Sequence, residues 1–310
     1  MKIAFIFPGQ GSQYIGMGKE LVENFPLAAE IMKKANKILE MDLADLCFYG
    51  PAEELGLTEN TQPAIYTISY IVNRLLNEEC IYPAVVAGHS LGEYSALAAA
   101  GVFSFEEGLW LVRQRGILMN KAVPDNQGSM AAIIGLEDRV IEEICRNVKG
   151  ICEIANYNSP EQIVISGERE AVLAACQLAE EKGARKTVVL KVSGPFHSSL
   201  MEKAAKEFAG ILDKIQFNKP EIPIVSNVTA DFAVEPEEIK ELLIKQLSSS
   251  VRWVESINFI RDEGINTYIE VGPGKVLRGL LRRIDSSLIT YNIEDLKTLQ
   301  DFLNKFKCQE

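Results

Sequence analysis

Histidine is scarce in this chain, with two in 310 residues, and the 32 basic side chains are outnumbered by 43 acidic ones. The resulting net charge of −11 argues against nucleic acid as a partner, because neutralising phosphates needs a basic face. Cysteine occurs at six scattered positions, Cys47, Cys80, Cys145, Cys152, Cys176 and Cys308, never as C-x-x-C and never clustered with histidine. That pattern argues against a structural zinc site or any other bound metal, and it points to reduced thiols in a cytoplasmic protein. No apolar stretch approaches a membrane span, and residues 1–5 run into a glycine loop instead of a signal-peptide core. A soluble chain, large enough for one elaborated domain or for two, is the expectation.

Apolar runs alternate with amphipathic helical stretches almost from end to end. The most informative junction lies between a strand over residues 84–87 and a helix over 93–100, joined by Gly88-His89-Ser90-Leu91-Gly92. This is the G-x-S-x-G nucleophile elbow, which lifts a serine Oγ off a sheet, and Gly88 and Gly92 are the residues that let so sharp a turn close. Free N–H groups at the start of the new helix would face developing negative charge on a substrate. Another apolar strand, 3–7, leads into Pro8-Gly9-Gln10-Gly11-Ser12-Gln13. Its glycines match neither G-x-G-x-x-G nor a Gly-Lys-Ser/Thr ending, so the loop reads as backbone N–H groups brought near a reacting carbonyl and not as a nucleotide site. Helical patterning covers 19–24, 27–39, 64–76 with Pro63 at its start, and 105–119.

From residue 129 the pattern changes to strand 130–134, helix 137–147, strands 152–155 and 163–166, helix 169–181 and strand 187–192. That β-α-β-β-α-β order predicts an inserted ferredoxin-like small subdomain over 127–193. Around it, residues 1–126 and 194–310 would form an α/β-hydrolase-like, mostly parallel sheet core. The later elements are helix 200–211, strand 222–226, helices 236–247 and 254–262, strand 268–271, helix 276–283, strand 288–291 and helix 296–306.

A serine hydroxyl needs a base to accept its proton. His89 adjoins Ser90, where neighbouring side chains diverge, so His197 is the remaining imidazole, in the turn Ser193-Gly194-Pro195-Phe196-His197-Ser198. Arg113 and Arg115 are two apart on one helix and point roughly 160° away from each other, and pattern alone reads either as surface. Arg278, Arg282 and Arg283, and likewise Lys182, Arg185, Lys186 and Lys191, read equally as docking patches for an acidic partner or as solvated faces.

The motifs together resemble the malonyl-CoA:acyl carrier protein transacylase family. The resemblance runs through Phe7-Pro8-Gly9-Gln10-Gly11-Ser12-Gln13, Gly88-His89-Ser90-Leu91-Gly92-Glu93, Arg115-Gly116-Ile117-Leu118-Met119, Gly128-Ser129-Met130, Asn158-Ser159-Pro160, Gly194-Pro195-Phe196-His197, Gln246-Leu247, Val251-Arg252-Trp253 and Glu270-Val271-Gly272-Pro273-Gly274. It implies Ser90 as the acylated nucleophile, His197 as general base and then acid, and Arg115 as the grip on the malonyl carboxylate. It further implies an oxyanion hole from the backbone N–H groups of Gln10 and Leu91, and a dyad in which the Gln246 carbonyl orients His197. Phe196 matches malonyl-selecting relatives, and His89 takes a supporting role. Malonyl-CoA and a holo acyl carrier protein are then the partners, with no resident cofactor, in a monomer serving fatty acid synthesis. Ser250 departs from the family's usual proline, which implies a less rigid loop around Gln246. A serine hydrolase such as a thioesterase, an acyltransferase of a polyketide pathway, and a non-catalytic carrier-binding module remain alternatives.

Overall fold

The chain, seen here as a computed structural model, is described over residues 2–124, 127–192 and 194–307. Cys308 and residues 125, 126 and 193, where the expected subdomain borders fall, lie outside the described residues. The run Ile3–Phe7 forms strand β1, buried at every position, as expected of a strand covered on both faces. It is followed in chain order by β2 (Val85–Gly88), β3 (Gly128–Ile134), β4 (Cys152–Ser159), β5 (Gln162–Glu168), β6 (Lys186–Val189), β7 (Ile224–Val225), β8 (Phe232–Ala233), β9 (Thr267–Val271) and β10 (Ile289–Ile293).

One sheet has six strands in the order β10-β9-β1-β2-β7-β8, all parallel except the β7–β8 pair. Side chains alternate along β1, so Ile3, Phe5 and Phe7 join one apolar cluster while Ala4 and Ile6 join another with Trp253 and Leu281. The register pairs Phe7 with Gly88, so the glycine loop after β1 and the elbow after β2 leave the sheet side by side. Ligands of open α/β sheets bind at this carboxyl edge.

The other sheet has four strands in the order β4-β5-β3-β6, antiparallel throughout. Helices Asp138–Asn147 and Arg169–Glu181 bury Ile141, Ile144 and Val172 against Ile133, Ile163 and Ile165 on one face. The opposite face turns Met130, Ala132 and Val164 toward the main core.

Several boundaries differ from the sequence pattern. The helix expected from 64 begins a turn and a half earlier, as Thr58–Glu78, and holds Pro63 inside it. Pro63 has no N–H to give the Glu59 carbonyl, and the Arg113 guanidinium supplies the missing donor at 2.5 Å. Arg113 is therefore half-buried and also bonded to Asn60, at 2.6 Å, in place of the surface position its pattern suggested. Short helices Leu43–Tyr49 and Ala52–Leu55 and strand β8 were not anticipated. Strand β4 runs on to Ser159, and the strand expected over 222–226 shortens to two residues.

Candidate active site

The elbow forces the chain through a turn that only glycine permits at its ends. A Cβ on Gly88 would stand 1.9 Å from the Gly92 carbonyl carbon, and one on Gly92 would stand 2.0 Å from the Phe7 oxygen. Between them Ser90 is left-handed, with φ +51°, a conformation that costs a non-glycine residue about 1–2 kcal/mol. Asn227, just beyond β7, offsets that strain. Its Oδ1 accepts the Ser90 N–H at 2.7 Å and its Nδ2 donates to the Gly88 carbonyl at 2.6 Å.

His197 reaches the same point from the turn that follows β6. Its backbone is also left-handed, with φ +60°, and its N–H donates to the Leu247 carbonyl at 3.1 Å. The ring stands with Nε2 2.7 Å from Ser90 Oγ. Its Nδ1 lies 2.8 Å from the Gln246 carbonyl and 3.1 Å from that of Ser249. Carbonyls only accept, so Nδ1 carries the proton and Nε2 is left as a basic lone pair facing the hydroxyl. Burial, and then the nearby Arg115 charge, push the His197 pKa down to about 3, which keeps the ring neutral and able to take a proton.

Arg115 is 1% exposed, so the surface reading that its helical pattern allowed is wrong for this residue. The helix Phe105–Lys121 sits close enough to Thr58–Glu78 to bury it because Gly116 has no side chain: a Cβ there would meet Glu59 Cα at 2.7 Å. Nη2 donates to Ser90 Oγ at 3.2 Å and to Gln246 Oε1 at 2.9 Å, Nη1 donates to Gln62 Oε1 at 3.0 Å, and the guanidinium lies 5.1 Å over the Tyr94 ring. Its Nε–H is buried and has no hydrogen-bond partner among the described residues. An orphaned guanidinium donor beside a hydroxyl–imidazole pair suits an anionic group on a substrate.

His89 does not reach the hydroxyl. Its Nε2 stands 2.7 Å from Asn158 Oδ1 and its ring meets Trp253 edge-on at 5.5 Å. Ser90, Leu91, Gln10, Arg115, Phe196 and His197 line one cavity of about 100 Å³, so the chain segments named from the sequence converge on one space. Leu91 stands at the helix N-cap, where a backbone N–H has no intrahelical acceptor. A larger cleft of about 500 Å³ adjoins it, sharing Gln10, His89, Asn156, Leu190 and Val192 and extending past Lys191 to Leu280. Of the basic clusters, Lys191 lines that cleft, Lys182 and Arg185 pair with Glu143 and Glu161, Arg278 bonds Asn292, and Arg283 bonds Gln162.

The loop after Gln246 is not the loose one expected from Ser250. The Ser250 hydroxyl donates to the Ile154 carbonyl, Val251 N–H donates to Ala155 O at 2.8 Å, and Tyr157 N–H donates to Val251 O at 3.0 Å. Pairing with β4 therefore does what a proline ring would do by restricting φ. Among the described residues no group of three or more His, Cys, Asp or Glu is arranged to hold a metal ion, and no helix is long and apolar enough to cross a membrane.

Residues 4–296 match the model of the acyl transferase domain family. The malonyl CoA-acyl carrier protein transacylase of Bacillus subtilis is 48% identical over 302 residues, covering 96% of this chain and 95% of its own. The chain belongs to the malonyl CoA-acyl carrier protein transacylase family. It is an acyltransferase. Solved relatives include an acyl carrier protein S-malonyltransferase of Vibrio cholerae, at 42% identity and TM-score 0.95 over 97% of this chain and 100% of that one. A malonyl-transacylase solved in complex with a type II polyketide acyl-carrier protein matches at 40% identity and TM-score 0.96, over 98% of this chain and 100% of that one.

Four polar residues of this transacylase site escaped the sequence reading: Asn227, Gln62, Tyr94 and the buried Glu93. Glu93 was visible only as the end of the elbow motif, Tyr94 follows it in the elbow helix, and Asn227 and Gln62 come from segments without a motif of their own. Burial raises the Glu93 pKa to about 7, against the hydrogen bonds from Gln246 and Asn227 that pull it down. Its Oε2 accepts from Gln246 Nε2 at 2.6 Å and from the Asn227 N–H at 3.4 Å.

Proposed function

We propose that the enzyme moves a malonyl group from malonyl-CoA to the phosphopantetheine thiol of a holo acyl carrier protein, through a malonyl ester on Ser90. The observation that carries this reading is the guanidinium of Arg115 at 3.2 Å from Ser90 Oγ, which itself lies 2.7 Å from His197 Nε2. In the acylation half, Ser90 attacks the thioester carbonyl while its proton passes to His197 Nε2. The backbone N–H groups of Leu91 and Gln10 stabilise the oxyanion, and coenzyme A leaves as a thiol after taking that proton. In the second half the carrier thiol gives its proton to His197 and attacks the ester, and Ser90 recovers its hydrogen. Arg115 holds the free carboxylate of the acyl group, and its unpaired Nε–H is one of the donors available to it. Phe196, 6% exposed, walls the acyl cavity with Met119 and Met130. The adjoining cleft admits the pantetheine arm that donor and acceptor share.

Around this site we read the four-stranded antiparallel unit as a ferredoxin-like insertion over 127–193 in an α/β-hydrolase-like core of 1–126 and 194–310. We read the enzyme as a cytoplasmic monomer without resident cofactor, serving fatty acid synthesis. The polyketide alternative keeps one specific support, the likeness to the relative solved with a polyketide carrier. Intact mass after incubation with malonyl-CoA alone tests the central step. A malonyl increment is expected on the wild type and absent from Ser90→Ala; no adduct on the wild type refutes covalent transfer, and free malonate outrunning malonyl-carrier in the presence of holo carrier protein makes it a hydrolase.

A further inference from the structure

We infer that Glu93 is a positioning residue for acyl selection: its carboxylate fixes the side-chain amide of Gln246, and that amide in turn holds Arg115 beside Ser90. The inference rests on the proposed roles of Ser90 and Arg115 and adds to them. Glu93 is the second residue of the elbow helix, 3% exposed, and takes no part in the hydroxyl–imidazole pair.

The chemistry of an amide makes the assignment. Gln246 is fully buried, and its side chain has two ends that do opposite things. Nε2 donates to Glu93 Oε2 at 2.6 Å and to the Ser90 carbonyl at 3.0 Å, while Oε1 accepts from Arg115 Nη2 at 2.9 Å. Turned over, the same amide would set an oxygen against a carboxylate and a carbonyl, and an NH2 against a guanidinium. Every contact would then be donor to donor or acceptor to acceptor. An acceptor oxygen at Glu93 therefore selects one of two rotamers that are alike in shape, and only the selected one places an acceptor on Arg115 Nη2.

The same residue ties the reacting parts together. Asn227, whose side chain clamps both sides of the elbow, places its own N–H on Glu93 Oε2 at 3.4 Å, and Gln246 presents its main-chain carbonyl to His197 Nδ1 at 2.8 Å. The main-chain carbonyl does not depend on which way the side-chain amide faces. Loss of Glu93 therefore touches Arg115 more than it touches the base. The buried Arg115 charge also gains from the Glu93 carboxyl group one amide away.

The test compares Ser90 acylation by malonyl-CoA and by acetyl-CoA, read by intact mass over time in the full-length enzyme. Glu93→Leu, which removes the acceptor and keeps the bulk, is expected to lower the malonyl-to-acetyl rate ratio by about tenfold, the scale of one buried donor left without its partner. Glu93→Gln, whose amide oxygen still accepts from Gln246, is expected to recover most of that ratio. Gln246→Leu keeps the main-chain carbonyl on His197 and should reproduce the selective loss, which keeps the inference testable if Glu93→Leu does not fold. Equal loss of both acyl groups in these variants, or an unchanged ratio, overturns the role assigned to Glu93. A wild type that forms no adduct, or that does not prefer malonyl, instead overturns the function on which the inference rests.

Discussion

Replacing Arg115 by alanine tests the acyl-selection argument most directly. The guanidinium is 1% exposed and donates at 2.9 to 3.2 Å to Gln246, Gln62 and Ser90. Against a malonyl carboxylate, loss of one member of a buried ion pair costs about 3–5 kcal/mol. At 1.36 kcal/mol per decade this is a fall of about two to nearly four orders of magnitude in malonyl transfer. Acetyl carries no carboxylate and is spared that loss. It also stands to gain, because Arg115 is one of the causes depressing His197, and a more basic imidazole takes the Ser90 proton more readily. Folding stability changes less than activity. Gln62 and Gln246 each lose a donor, at about 1–3 kcal/mol for each buried acceptor left unpaired, and relief of a desolvated charge offsets part of this. Single-turnover acylation with each acyl-CoA, with a thermal melt of the variant, measures all three quantities, and Arg115→Met controls for the lost volume. Equal falls for malonyl and acetyl in a folded variant would refute the reasoning and leave Arg115 as a structural strut.

Asn227→Ala removes both clamps on the left-handed Ser90, and is expected to slow acylation by malonyl and acetyl alike while lowering the melting temperature; unchanged single-turnover rates would show that the elbow holds itself. Gly92→Ala drives a Cβ to 2.0 Å from the Phe7 carbonyl, so it should fold poorly or not at all, and a variant with wild-type melting would contradict the close packing of elbow and β1. The His197 pKa, lowered from 6.5 to about 3, places the acid limb of kcat/KM for acylation well below pH 6.5, and a limb at 6.5 itself would show an exposed imidazole. The same shift has a stability counterpart. With the folded pKa below the unfolded one, the unfolded chain binds the extra proton between about pH 6.5 and 3, so this group's contribution falls as pH drops through that window. Glu93, raised from 4.5 to about 7, acts in the other direction: its contribution falls as pH rises from about 4.5 to 7, and urea melts of Glu93→Gln across that range should show a shallower decline than the wild type.

Much of the site is legible in the chain because its chemistry is local. The elbow is a contiguous five-residue turn, and the overlap that any side chain at Gly88 would make with Gly92 follows from that turn alone, whereas the overlap at Gly92 is with Phe7 of the neighbouring β1. Having only two histidines made elimination effective: adjacency rules out His89, and His197 is left. The alternation of apolar runs and amphipathic helices likewise announced a sheet covered on both faces, since the period of each segment is set by its own burial pattern.

What tertiary structure decided is everything that depends on which segments meet. Arg113 and Arg115 are equivalent in sequence pattern, and only the packing of their helix against Thr58–Glu78 sends one to the Glu59 carbonyl freed by Pro63 and the other into the cavity. Ser250 signals a looser loop in isolation, yet β4 lies alongside and supplies the carbonyls that hold it. Asn227 and Gln246 stand 137 and 156 residues from Ser90, and no spacing rule connects them to it. Periodicity and motifs record how each segment buries itself; the hydrogen bonds that orient an amide or a guanidinium form between segments, and their partners are named only when the fold brings them within 3 Å or so.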